Sequence, residues 1–376
     1  MPTPHPRSPL GERLGALIRA EMQAAGGWMP FDRFMSLALY APGLGYYSRG
    51  SQQFGARPED GSDFITAPEL SPLFGRALAR QVAQAMSVTG TDEVWEFGAG
   101  SGVLAAQLLA TLGELGQPPR RYTIVDVSGT LRERQQQTLQ AKVPQWADRV
   151  VWADRLPDEL NGVVVGNEVL DAMPVKLITF DGQTWLERGV ALDGDAFVWA
   201  DRASDLRPPV EGPFVPGTVT ELQQQGEAFI TTLAGVLRRG AAFFIDYGFP
   251  EAEYFHPQRV GGTLMCHQAH RSDDNPLIDV GDKDITAHVN FTGIALAAQD
   301  AGLDVLGYTS QAHFLINCGI TDDLQHLQSD ADRPARSAAQ LLMLEHEMGE
   351  LFKVIGLARG EFEALGFARG DRSHTL

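Results

Sequence analysis

Short apolar runs at residues 94–97, 122–127, 150–153 and 163–165, with a fifth at 241–245, recur along this 376-residue chain between amphipathic stretches. The runs are nearly continuous in valine, isoleucine, phenylalanine and alanine rather than alternating with polar residues. A strand of that kind is buried on both faces, as in a parallel sheet covered by crossover helices. The helices expected between the first strands cover 102–112 and 131–140. The fold class is therefore α/β, a Rossmann-like doubly wound sheet.

Other patterning sits around this core. Residues 10–25 read as an amphipathic helix ended by Gly26-Gly27, and 71–86 as a second, with Ser71 as its cap and Pro72 in its first turn. Residues 40–64 are rich in glycine, proline and aromatics, including Tyr46, Tyr47 and Phe64, and read as a structured loop over a site. Between the fourth and fifth strands, 175–180, 184–190 and 197–200 alternate around Asp181-Gly182 and Asp193-Gly194, the signature of hairpins, so a β insertion is expected there. Helices are predicted over 219–238 and, from a stripe of Leu341, Leu344, Met348, Leu351, Phe352 and Ile355, over 335–357. The expected organisation is an N-terminal helical and loop extension at 1–90, a core at 91–174 and 241–318, an insertion at 175–240 that shapes a substrate cleft, and a C-terminal helical segment at 319–376.

A formal net charge of -18 disfavours nucleic-acid backbones as partners. The two cysteines, Cys266 and Cys318, are too few for a disulfide framework or a four-thiolate zinc site. Cys266, His267, His270 and His288 fit no standard metal spacing, so no metal is expected. There is neither a membrane-length apolar run nor a secretory leader, and a cytoplasmic location is the expectation.

Gly98-Ala99-Gly100-Ser101-Gly102 directly follows the first strand, where glycines permit a tight turn and close ligand approach. Gly100-x-Gly102-x-x-Ala105 also satisfies a dinucleotide fingerprint, and Asp126, ending the next strand, would hold a ribose in either case. Glu96 tips the balance: its carboxylate would repel a pyrophosphate but favours the ammonium and sulfonium of S-adenosylmethionine, the plain alternative being a charge paired with a nearby arginine. Asp154, after the third strand, is placed to accept from the adenine amino group or else to cap a helix. Asn167, after the fourth, borders the methyl-donor end. Asn167-Glu168-Val169-Leu170-Asp171 stands at the carboxyl edge of a buried strand, where doubly wound sheets bind ligands. Glu168 or Asp171 there matches a guanidinium, localising its charge so that one nitrogen can attack a methyl group; the plain alternative is that Asp171 caps a turn and Glu168 is solvated.

Taken with Tyr46-Tyr47, residues 61–71, Val125-Asp126-Val127-Ser128, residues 167–174, Asp246-Tyr247-Gly248, Gly262-Thr263-Leu264, His270 and residues 284–291, these motifs resemble the MidA family of methyltransferases over nearly the whole chain. That family includes a mitochondrial protein arginine methyltransferase that assists respiratory complex I assembly. The resemblance implies a class I methyltransferase core, S-adenosyl-L-methionine as cofactor, and an arginine of a protein, such as a respiratory-complex subunit, as acceptor. It also implies that His270 and the segment containing His288 line the acceptor pocket or lock its loop. The chain departs from the family pattern at Asp126, where glutamate is expected, and at Asn290, where aspartate is. Methylation of a small molecule, and a non-catalytic assembly factor that binds the cofactor, are the alternatives.

Overall fold

The computed structural model describes residues 8–49, 66–126, 129–268 and 271–376. The chain forms two compact units. The first holds the described residues up to 49 with 171–226 and 251–290; the second holds 66–170, 227–250 and 291–376.

The second unit is built on a sheet whose strands run in the order Asp304–Ser310, Phe352–Ala358, Leu237–Phe249, Leu160–Asn167, Glu93–Phe97, Arg121–Val125 and Val150–Ala153. The last five are mutually parallel, and Phe352–Ala358 is antiparallel to both neighbours. This is the Rossmann-like sheet expected from the apolar runs. Val163, Val164 and Val165 are fully buried, as a strand covered on both faces requires. One face packs on helices Pro72–Thr89, Val103–Glu114 and Gly129–Lys142, where Leu78, Val82, Leu104, Leu108 and Leu139 meet Val94, Tyr122 and Ile124. Ser71 caps the first of these, its hydroxyl accepting from the Leu73 amide at 3.3 Å. Ser71→Ala is expected to cost about 1 kcal/mol in urea unfolding; an unchanged midpoint would show that the cap is not stabilising.

On the opposite face, Phe229 of helix Gln224–Val236 packs edge-on against Phe97 and Phe244 at 5.2 and 5.8 Å. Farther along that face the sheet is less well covered. Residues 154–159 cross between strands as an irregular bend rather than a helix, and a cavity of about 500 Å³ there is lined by Trp95, Thr123 and Val151 among others.

Two expected helices change character. Over 335–357 the helix ends at Met343, a short turn of helix covers Met348–Leu351, and Phe352–Ala358 is a strand buried along its whole length. The stripe read there at helical spacing runs directly into Val354-Ile355, whose β-branched side chains suit a strand covered on both sides. Over 219–238 the helix is confined to Gln224–Val236: Val219–Leu222 is a strand, and Leu237 opens the long central strand.

The first unit contains the predicted hairpins. Lys176–Phe180, Trp185–Asp193 and Ala196–Ala203 pair in succession, with Trp28–Pro30 and Val219–Leu222 completing the antiparallel sheet. Helices Pro9–Ala24 and Phe31–Tyr40 share a core with it, through Leu14, Ile18, Phe31, Phe34, Leu177, Val190 and Phe197. Met265–Gln268 pairs with both Arg271–Asp273 and Asp284–Thr286 in a smaller sheet. Among the described residues no helix is long and apolar enough to cross a membrane.

Candidate functional site

In the second unit, strand Glu93–Phe97 delivers the chain into a loop where Gly98, Gly100 and Gly102 take φ of 64°, 51° and 81°. L side chains rarely adopt these angles. At Gly102 close packing adds a second reason, because a Cβ there would lie 3.0 Å from the Gln135 Cα. The loop is held from two directions. The Ser101 hydroxyl donates to Glu69 on the short helix Ala67–Leu70, and the Gly100 carbonyl accepts from Gln135 Nε2 at 3.1 Å.

Beneath this loop lies Glu96, only 1% exposed. Its partner is the Tyr122 hydroxyl, which donates to Oε2 at 2.6 Å, so the arginine pairing that a lone buried carboxylate suggests is not the arrangement found. Burial pushes the Glu96 carboxyl up to about 7; the Tyr122 bond opposes this and Asp126 adds to it. Asp126 follows strand Arg121–Val125. Its carboxylate accepts from Gln135 Nε2 at 2.9 Å, and its carbonyl accepts from Arg132 Nε and Nη2 at 3.1 and 2.6 Å. Asp154 is exposed in the bend after Val150–Ala153, and the next element is the strand beginning at Leu160, so the alternative of a helix cap falls.

Asn167 closes its strand 8% exposed, and its Nδ2 donates to Glu168 Oε1 at 2.9 Å. Glu168 takes φ of 53°, a strained conformation that persists only where its surroundings over-determine it. The restraint comes from strand Leu237–Phe249. Glu168 N donates to the Ile245 carbonyl at 2.9 Å, and the amides of Val169 and Leu170 donate to Asp246 Oδ2 at 3.0 and 2.9 Å. Asp246 is 1% exposed. It belongs to the Asp246-Tyr247-Gly248 motif, yet nothing in one sequence reveals that its carboxylate holds up the Glu168 turn.

These residues suit an adenosyl cofactor with a cationic amino-acid end. The glycine loop leaves room for close approach, Asp126 provides a carboxylate past the second strand, and Asn167 Oδ1 is a buried acceptor to which no described donor bonds. A buried acceptor of that kind favours an incoming N–H donor.

In the first unit, Tyr40 and Tyr47 stack with ring centroids 5.7 Å apart and planes at 21°. Tyr47 donates to Asp284 Oδ2 at 2.9 Å and Tyr40 to the Ala172 carbonyl at 2.8 Å. Both phenols are driven far above their usual range, first by burial and then by Asp284, with Asp171 contributing. Asp171 and Asp284 are 3% and 2% exposed, and the Asp171 carbonyl accepts from Ala287 N at 3.0 Å. His288 is half-buried; its amide donates to Thr263 Oγ1 at 3.0 Å and its carbonyl accepts from Gln223 Nε2 at 2.6 Å. His270 and Phe64 lie outside the described residues. Cys266 and Cys318 are buried, and burial pushes each thiol up to about 12. The contacts made by Gln135, Glu69, Tyr122 and Asp246 are not legible in one sequence, because each joins residues apart in the chain.

Known proteins resemble this chain in sequence and fold. Residues 77–309 match a family described as S-adenosyl-L-methionine-dependent methyltransferase. The chain is 27% identical over 376 residues to the mitochondrial protein arginine methyltransferase NDUFAF7 homolog of Caenorhabditis elegans, spanning 90% of this chain and 84% of that one. It is 27% identical over 400 residues to the mitochondrial protein arginine methyltransferase NDUFAF7 of Homo sapiens, spanning 95% and 85%. A protein from Burkholderia thailandensis, crystallised bound to S-adenosyl-homocysteine, shares 53% identity with a TM-score of 0.96 across 100% of both chains.

Proposed function

This chain belongs to the S-adenosyl-L-methionine-dependent methyltransferases of the MidA type, and from that premise we propose that its acceptor is an arginine side chain of a protein. One observation supports the reading beyond the relatives' names: the Glu168 main chain is held at φ of 53° by bonds to Ile245 and Asp246, and its carboxylate is oriented by Asn167. A planar carboxylate fixed in this way suits the two-pronged hydrogen bonds of a guanidinium.

The cofactor supplies an electrophilic methyl group carried on a sulfonium. The protein's part is to make a guanidinium nitrogen nucleophilic and to align it. A guanidinium spreads its charge over three nitrogens, so each is a poor nucleophile. In this proposal Glu168 accepts two N–H bonds from the guanidinium, draws the charge toward the bonded nitrogens and leaves electron density on the third. As the nitrogen–carbon bond forms, the carbon–sulfur bond breaks with its electron pair left on sulfur, and the methylated nitrogen sheds its extra proton to water while Glu168 holds the positive charge on the other two nitrogens. Orientation supplies much of the remaining acceleration. A respiratory-complex subunit is the acceptor to try first.

The test is to incubate the protein with methyl-labelled cofactor and native proteins, hydrolyse the products and separate the amino acids. Labelled methylarginine is expected. Label confined to low-mass species, or to another amino acid, would overturn the arginine reading.

A further inference from the structure

We infer that Gln135 is a positioning residue for the cofactor, tying the glycine loop to the carboxylate that receives the ribose. The inference rests on reading Asp126 as that carboxylate. Gln135 lies on helix Gly129–Lys142, and although its side chain is a primary amide it is 0% exposed. A buried amide is tolerated when its hydrogen-bonding groups are used, and here they join three segments of the second unit. Nε2 donates to the Gly100 carbonyl at 3.1 Å and to Asp126 Oδ2 at 2.9 Å, while Oε1 accepts from Trp152 Nε1 at 2.7 Å.

The amide's orientation is determined by chemistry. An indole nitrogen can only donate, so Trp152 requires the oxygen to face it, and the NH₂ must then face the loop and Asp126. Both groups on that side are acceptors, so a flipped amide would turn three bonds into three repulsions. Gln135 and Gly102 also fit each other: a Cβ on Gly102 would come within 3.0 Å of the Gln135 Cα and 3.3 Å of its Cβ. Arg132 takes the main-chain oxygen of Asp126 and Gln135 takes its carboxylate, so backbone and side chain are fixed separately. One carboxylate oxygen is thereby oriented before any ligand arrives, as a preorganised acceptor should be.

The experiment is a double-mutant cycle read by calorimetric titration with S-adenosyl-homocysteine, using Gln135→Met, Asp126→Asn and the double variant, with the unliganded thermal midpoint measured for each. Gln135→Met is expected to weaken binding about tenfold, and its effect should fall to less than half of that in the Asp126→Asn background. Gln135→Glu keeps the shape and the acceptor for Trp152 but sets a carboxylate against Asp126 and the Gly100 carbonyl, so at pH 8 it should bind more weakly than Gln135→Met. It carries the test alone should Gln135→Met fail to fold. Asp126→Asn binding like the wild type would overturn the ribose reading and this inference together. Asp126→Asn weakening binding while the Gln135 effect adds in full, or Gln135→Glu binding like the wild type, would overturn this inference alone.

Discussion

Glu168→Gln is expected to lower methyl transfer by roughly a hundredfold or more, the range in which loss of one positioned proton acceptor or charge is felt, while fold and cofactor affinity stay near wild type. The substitution preserves volume and leaves a carbonyl oxygen to accept from Asn167 Nδ2, the bond that orients the side chain in the native protein. It also leaves the backbone restraints untouched, since the Ile245 carbonyl and Asp246 carboxylate act on main-chain amides. What disappears is the negative charge. An amide cannot draw the guanidinium's charge toward itself, so no nitrogen is left with the electron density to attack. Single-turnover rates with saturating cofactor would measure this directly, with titration of S-adenosyl-homocysteine as the control. Turnover within about threefold of wild type would remove Glu168 from the chemistry.

Lowering the pH through neutrality is expected to weaken cofactor binding about tenfold per unit below 7, because a cationic ligand selects the ionised form of Glu96. Burial pushes this carboxyl up to about 7, so at pH 8 it is already charged in the unliganded protein, and at pH 5.5 the ligand must displace a proton. Stability of the unliganded protein moves the other way. The folded-state pKa lies above the unfolded value, so the protein binds the proton more tightly when folded, and this group's contribution declines as pH rises from the unfolded value near 4.5 to about 7. By about 1.4 kcal/mol per unit, the penalty at pH 8 is roughly 3 kcal/mol. Glu96→Gln should therefore flatten both profiles, making the unliganded protein more stable at pH 8 and its cofactor affinity weaker and nearly independent of pH. Affinity that stays constant between pH 8 and 5.5 in the native protein would show that Glu96 does not sense the ligand.

The parts of the fold legible in the sequence were those that a local period specifies. The valine run at 163–165 is short and continuous between turn residues, the pattern of a strand covered on both faces, and Asp181-Gly182 and Asp193-Gly194 marked turns because glycine at φ of 102° and 60° relieves a clash other residues would meet. The stretch 335–357 was misread for the same reason. Apolar residues buried all round satisfy a helical and a strand template alike, and only the vacancy between Asp304–Ser310 and Leu237–Phe249, filled by Phe352–Ala358, decides between them. At the site, Glu96, the three glycines, Asp126 and the acids after the fourth strand announced themselves by standing at strand ends. Gln135 did not, being one of three consecutive glutamines on a helix of otherwise polar appearance.

The sequence by itself determined a doubly wound sheet, a glycine loop and the sign of the charges around it, because turns, strand ends and periodicity are set by residues adjacent in the chain. Tertiary structure alone decided that Tyr122 rather than an arginine meets Glu96, that Asp246 holds Glu168 at positive φ, and that Gln135 joins the loop to Asp126. Each of those bonds spans between 9 and 77 positions of the chain, and a side chain's partner at such separation is chosen by how strands and helices pack, which no local pattern encodes.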